Sequence, residues 1–230
     1  MRKYDILLCD ADNTLFDFIA SERIAIRASF ADAGVPLTDE QIAVYSHIND
    51  LVWLAYERGE TTRERLHYDR FIRFCDIVGS GSMTPEQIAD LYSDKLGKMS
   101  VLYPGALDFM KKISAVMPLC IVSNGFSSVQ RDKLAAVTEY LSDAYISEEM
   151  GVTKPDPRMI TIPMAEHGIT DKRRVLMMGD SLTADIAAAN NAGVDSILFR
   201  YGKQEPEKHP ATYFAADFDA ALRIAEGEEE

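Results

Sequence analysis

The chain has 230 residues, 47% of them apolar and 27% charged. That is enough for one large domain or a core with a smaller unit, and too apolar for global disorder. Lys and Arg number 24 against 37 Asp and Glu, a formal charge of −13. A field of that sign repels phosphate backbones and anionic lipid, which argues against nucleic acid polymers and membranes as partners. A small anionic substrate then needs locally placed positive charge, a metal ion or backbone N–H groups.

The first predicted element is Ile6-Leu7-Leu8-Cys9, a continuous apolar run that reads as a strand buried on both faces. It is too short for the apolar stretch of a signal peptide, and no segment approaches the ~18 apolar residues of a membrane span. Cys9, Cys75 and Cys120 lack the spacing of a zinc site or a disulfide framework. A cytoplasmic protein with reduced core thiols is expected. From Asp17 to Ser100 no strand-like run occurs, and the pattern predicts four helices at about Phe18–Ala33, Asp39–Gly59, Thr62–Val78 and Pro85–Met99. Thr84-Pro85-Glu86-Gln87 opens the last of them, with Thr84 as N-cap, Pro85 in the first turn and Gln87 closing a capping box. Further strands are predicted at Leu119–Val122, Ala144–Ile146, Val175–Met178 and Ser196–Phe199, with helices at Val129–Val137, Met159–His167 and Ala184–Ala192 between them. Strands alternating with helices imply right-handed crossovers. The predicted fold is α/β: a Rossmann-like, doubly wound parallel sheet built from residues 1–16 and 101–230, with a four-helix domain, residues 17–100, inserted after the first strand.

Polar residues gather where these strands end. Asp10, Asp12 and Thr14 follow the first strand, Ser123-Asn124-Gly125 the second, and Lys154 lies after the third. Gly179-Asp180-Ser181 follows the fourth, with Asp185 on the opening turns of the next helix. A parallel sheet brings all these ends to one edge, where open α/β sheets bind ligands. Asp10, Asp12, Asp180 and Asp185 would then place four carboxylates together, an arrangement that raises their pKa values or requires a cation. An all-oxygen set without clustered His or Cys suits Mg²⁺. Lys154 adds fixed positive charge, the Ser123 hydroxyl and the Asn124 and Gly125 N–H groups are donors, and Thr14 can orient Asp12 or a phosphate. The expected ligand is a small phosphorylated metabolite.

In these features the sequence resembles the haloacid dehalogenase-like hydrolases: Asp-x-Asp-x-Thr after an apolar strand, a Ser at a strand end, a later Lys-Pro and Gly-Asp-x-x-x-x-Asp, all in order. The resemblance implies that Asp10 is a nucleophile forming an aspartyl-phosphate, that Asp12 is the general acid/base, and that Thr14, Ser123 and Lys154 complete the catalytic set. It implies Mg²⁺ on Asp10, the Asp12 carbonyl and Asp180, with Asp185 acting through water or from behind them. The chemistry of the residues agrees, because a carboxylate attacks phosphorus once the charge of both partners is offset, and a second carboxyl can move the proton. The family's true dehalogenases lack an acid at the position of Asp12, so its presence favours phosphoryl chemistry.

The helical insert occupies the slot of a mobile cap in such enzymes, where substrate specificity is expected to reside. Further stretches resemble the bacterial branch that hydrolyses nucleoside 5′-monophosphates, including non-standard pyrimidines: Asp10–Phe16, Asn49 with Trp53, Arg70-Phe71, Ser123–Phe126, and Ile146–Glu149 leading into Gly151-Val152. Asn13, often acidic in relatives, and the variable Ser181-Leu182 depart from that pattern. Phe16, Phe18, Trp53 and Phe126 are candidates for stacking a base, although aromatics at helical spacing also serve core packing. Arg58, Arg63, Arg65 and Arg70 form a positive stretch expected to be a solvated face. The implied activity is a Mg²⁺-dependent 5′-nucleotidase, with a sugar-phosphate phosphatase or phosphomutase of the same superfamily as the alternative. A signalling receiver, which also phosphorylates an Asp on a parallel sheet, does not fit the helical insert.

Overall fold

The strand Ile6–Cys9 (β1) has parallel neighbours on both sides, which explains why all four of its residues are apolar and buried. The computed structural model describes residues 3–227. After β1 come four helices: α1 (Phe18–Asp32), α2 (Asp39–Glu57), α3 (Arg63–Val78) and α4 (Pro85–Lys98). Then follow α5 (Ala106–Ser114), β2 (Leu119–Ser123), α6 (Ser127–Ala135), β3 (Asp143–Ile146), the single turn α7 (Ser147–Met150) and α8 (Arg158–Glu166). The chain continues with β4 (Val175–Gly179), α9 (Ala187–Ala192), β5 (Asp195–Phe199), β6 (Tyr213–Ala215) and α10 (Phe218–Glu226).

The sheet runs β3-β2-β1-β4-β5-β6, and every pairing is parallel. Period-two alternation divides its residues between two cores. Leu7, Cys9, Leu119, Ile121, Leu176 and Met178 face α5 and α10, while Ile6, Leu8, Cys120, Val122, Val175 and Met177 face α8 and α9. The sheet is therefore doubly wound, and the connections diverge on either side of β1, the switch point at which such sheets form a crevice. All three cysteines are buried free thiols.

Three features go beyond the predicted elements. The strand β6 has only three residues, two of them partly exposed, so it carries no apolar run to read. The helices α5 and α10, nine residues each, and the single turn α7 lie outside the predicted elements. The helix predicted from Ala184 opens instead as a π-helical turn, Leu182–Ile186, and becomes α-helical at Ala187.

The chain divides into two compact units, one formed by the segment up to Phe18 and the segment from Val101 on, the other by Ile19–Ser100. The second unit is all-helical. Both Thr38 and Thr84 form capping boxes, with Gln41 and Gln87. Its interior is aromatic: Tyr45 packs against Phe71, Phe74 and Tyr92 at centroid separations of 5.3, 5.4 and 5.7 Å, and Phe30 meets Phe74 edge-on at 5.1 Å. No helix among the described residues is long and apolar enough to cross a membrane.

Candidate active site

Asp10 is the first residue beyond β1, and its N–H donates to the Met178 carbonyl of the neighbouring β4 at 2.8 Å, tying the loop to the switch point. Its side chain meets Lys154, whose Nζ donates to Asp10 Oδ1 at 2.6 Å, to Asp185 Oδ1 at 2.6 Å and to the Val122 carbonyl at 2.7 Å. All three donors of a buried ammonium are therefore used. Lys154 is itself held by Asn124, whose side-chain amide accepts from the Lys154 N–H at 2.8 Å and donates to its carbonyl at 3.0 Å. The side chain of Asn124 thus serves the lysine loop. The second oxygen of Asp185 accepts from the Ser181 N–H at 3.0 Å. Gly179 makes this approach possible, because a Cβ there would lie 2.3 Å from the Asp185 carboxyl.

Asp10, Asp180 and Asp185 each offer a carboxylate oxygen, all within 4.8 Å of one another. Burial pushes Asp10 up from the ordinary carboxylate range; Lys154 opposes the shift, while Asp185 and Asp12 add to it. Burial likewise pushes Asp180 well up, reinforced by Asp185 and Asp10. Burial alone would lower Lys154, but the charges and hydrogen bonds of Asp10 and Asp185 raise it, so it stays protonated. Three carboxylates around one ammonium leave an excess of negative charge. Hard oxygen donors at this spacing fit Mg²⁺, and the two raised carboxyls mark where positive charge is lacking.

The loop after β1 turns sharply at Asn13, whose φ of 58° lies in the left-handed region that Asn tolerates better than most side chains. The Thr14 hydroxyl reaches Asp10 Oδ2 at 3.5 Å, a long contact. Ser123 is buried, and its Oγ accepts from the Gly125 N–H at 3.0 Å. Asp12, with a side chain 26% exposed, is engaged from α6: Lys133 forms an ion pair with Oδ1, and Gln130 donates to Oδ2 at 2.7 Å. Neither was among the predicted site residues. The available signal was polarity on the wrong face, since Gln130 and Lys133 stand beside Val129 and Leu134 on the buried stripe of α6.

Phe16, proposed above as a stacking surface, is 3% exposed and packs in the sheet core, with Lys133 Nζ 5.3 Å from its ring centroid. Of the remaining candidates, Phe18 and Phe126 belong to the α/β unit and Trp53 to the helical unit. Trp53 is partly exposed on α2 and meets Tyr56 edge-on at 6.0 Å. Arg70 corrects an expectation: it does not belong to a solvated face. It is 3% exposed, donates to Asn49 Oδ1 at 2.5 Å, and its guanidinium lies 5.1 Å from the Phe71 ring and 5.3 Å from that of Tyr92. The apolar stripe of α3 includes this position, and aromatic faces with one amide replace water around the charge.

A family model for haloacid dehalogenase-like hydrolases matches residues 4–193. The chain is 29% identical to pyrimidine 5′-nucleotidase YjjG of Escherichia coli, over 89% of this chain and 90% of that protein. It is 31% identical to pyrimidine 5′-nucleotidase PynA of Streptococcus pneumoniae, over 85% and 84% respectively. The magnesium-bound crystal structure of the HAD-hydrolase YfnB from Bacillus subtilis superposes with a TM-score of 0.88 at 29% identity, covering 97% of this chain and 99% of that one.

Proposed function

The chain belongs to the haloacid dehalogenase-like hydrolase family and is a phosphatase of it, and on that premise we propose that it hydrolyses nucleoside 5′-monophosphates, pyrimidine ones in particular, by way of an aspartyl-phosphate on Asp10. The observation that carries the reading is the convergence of Asp10, Asp180, Asp185 and Lys154 at the switch point of the sheet. The substrate class is supported by the two pyrimidine 5′-nucleotidases, to which the likeness runs nearly end to end.

Lys154 grips Asp10 Oδ1 and fixes the carboxylate, leaving Oδ2, beside Thr14, for the reaction. The Asp10 oxygen bonds to phosphorus as the bond from phosphorus to the alcohol oxygen breaks, and Asp12 gives its proton to that leaving oxygen. Water then attacks the phosphorus of the acyl phosphate and returns a proton to Asp12, and the departing carboxylate restores Asp10. Ser123 and the N–H groups of the loop after β2 supply donors to the phosphoryl oxygens. Asp10, Asp180 and Asp185, with the Asp12 carbonyl, would hold Mg²⁺, which when bound offsets the charge that carboxylates and phosphate bring together. The helical unit is proposed to act as the cap in which base preference resides.

A phosphate-release screen over nucleoside 5′-monophosphates and sugar phosphates, with Mg²⁺ and with a chelator, tests this. Release should be largest from pyrimidine nucleotides and abolished by chelation. A higher kcat/KM for sugar phosphates would overturn the substrate class, and activity that survives chelation would overturn the metal assignment.

A further inference from the structure

We propose that Gln130 and Lys133 of α6 are positioning residues for Asp12, together setting where this carboxyl presents its proton to the leaving group. The inference rests on the acid/base reading of Asp12 given above. Four observations carry it. The Lys133 side chain is wholly buried, and among the described residues Asp12 is its sole ion-pair partner. The ammonium lies 5.3 Å from the Phe16 centroid and 6.0 Å from that of Phe18, so two aromatic faces fix its place without competing for its protons. The Gln130 amide donates to the other Asp12 oxygen at 2.7 Å, while its own Oε1, buried, has no hydrogen-bond partner among the described residues. Gly125 leaves room for that amide, because a Cβ there would come within 2.4 Å of Gln130 Nε2.

A buried ammonium is a costly way to fill space, and apolar residues of similar volume would pack the stripe of α6 at least as well. What Lys133 and Gln130 accomplish together is a two-point grip, one donor on each oxygen, that allows Asp12 little rotation. The helix carrying both begins at Ser127, directly after the Ser123–Phe126 loop. One short segment therefore presents the donors proposed for phosphate and also aims the acid that protonates the leaving oxygen. Proton transfer depends steeply on such geometry, because donor and acceptor must come within hydrogen-bond reach as the bond breaks.

Leaving-group chemistry separates this role from a structural one. The nitrophenolate of p-nitrophenyl phosphate departs without needing a proton, whereas the alkoxide of a nucleoside 5′-monophosphate needs one. In the full-length protein with Mg²⁺, kcat/KM reports the step in which the ester bond breaks. Lys133→Met should lower kcat/KM for a pyrimidine nucleoside monophosphate roughly 10- to 100-fold, and that for p-nitrophenyl phosphate by less than about threefold. Gln130→Met, which leaves the charge pair in place, should shift the same ratio in the same direction by a smaller factor, and it carries the test if Lys133→Met does not fold. Equal losses on both esters, or no loss on either, in variants of a wild type that hydrolyses both, would overturn the positioning role and leave the phosphatase reading standing. A wild type that hydrolyses neither ester would overturn that reading and this inference with it.

Discussion

In the α/β unit the buried ammonium of Lys154 touches two carboxylates and a carbonyl, whereas in the helical unit the buried Glu22 and Arg70 spend their hydrogen bonds on neutral side chains. Ser46 donates to Glu22 Oε2 at 2.5 Å and Arg70 donates to Asn49. Glu22 Oε1 and Arg70 Nε, both buried, have no hydrogen-bond partner among the described residues. The stoichiometry of charge is the instructive difference. The helical cluster sets one acid against one base. The cluster at the sheet edge sets Asp10, Asp180 and Asp185 against a single Lys154, a surplus that costs stability unless further positive charge arrives. One cluster organises a helical interior, and in the proposed mechanism the other receives a cation and a phosphate.

The largest effect is expected from Asp10→Asn. It should lower kcat by several orders of magnitude while leaving the melting temperature unchanged or higher, because it removes one of the crowded carboxylates. Near-normal turnover would return Asp10 to a structural role. In the helical unit the expected effect is on stability and not on chemistry. Burial raises the Glu22 carboxyl to about 7; the Ser46 hydrogen bond and the charge of Arg70 oppose the shift, and Asp50 adds to it. A group raised on folding stabilises the protein fully below its unfolded value, near the ordinary 4.5, and that contribution is lost as pH rises through about 7. Denaturant titrations should therefore show Glu22→Gln gaining on wild type by up to about 3 kcal/mol between pH 5 and pH 8. Parallel pH profiles would show that Glu22 is not held neutral. The smallest expected effect is a few-fold rise in KM for nucleotides in Trp53→Ala, with KM for p-nitrophenyl phosphate unchanged. Equal changes for both substrates would assign Trp53 to packing.

Legibility follows the same division. Asp10, Ser123 and Asp180 stand at or directly after strand ends, so apolar runs of four or five residues locate them, and the topology of a parallel sheet brings them together with no knowledge of side-chain contacts. Lys154 needed one further clue, its place before a proline in the loop that follows β3 and α7. Gln130 and Lys133 escaped because a helix is read by its apolar stripe, and a polar residue on that stripe looks like noise until its partner across the sheet edge is known. Arg70 escaped for a related reason. Charge in sequence suggests solvent, and only the fold shows that Asn49, Phe71 and Tyr92 surround it. The edge strand β6 was too short to announce itself.

In the proposed mechanism Asp10 accepts the phosphoryl group. Rapid acid quenching of the enzyme during turnover of a pyrimidine nucleoside 5′-monophosphate labelled in its phosphate tests it directly. The expected result is covalently bound label that hydroxylamine releases, that maps to the peptide containing Asp10, and that is absent in Asp10→Asn. Turnover without any protein-bound label, or label that persists in the Asn variant, would contradict it.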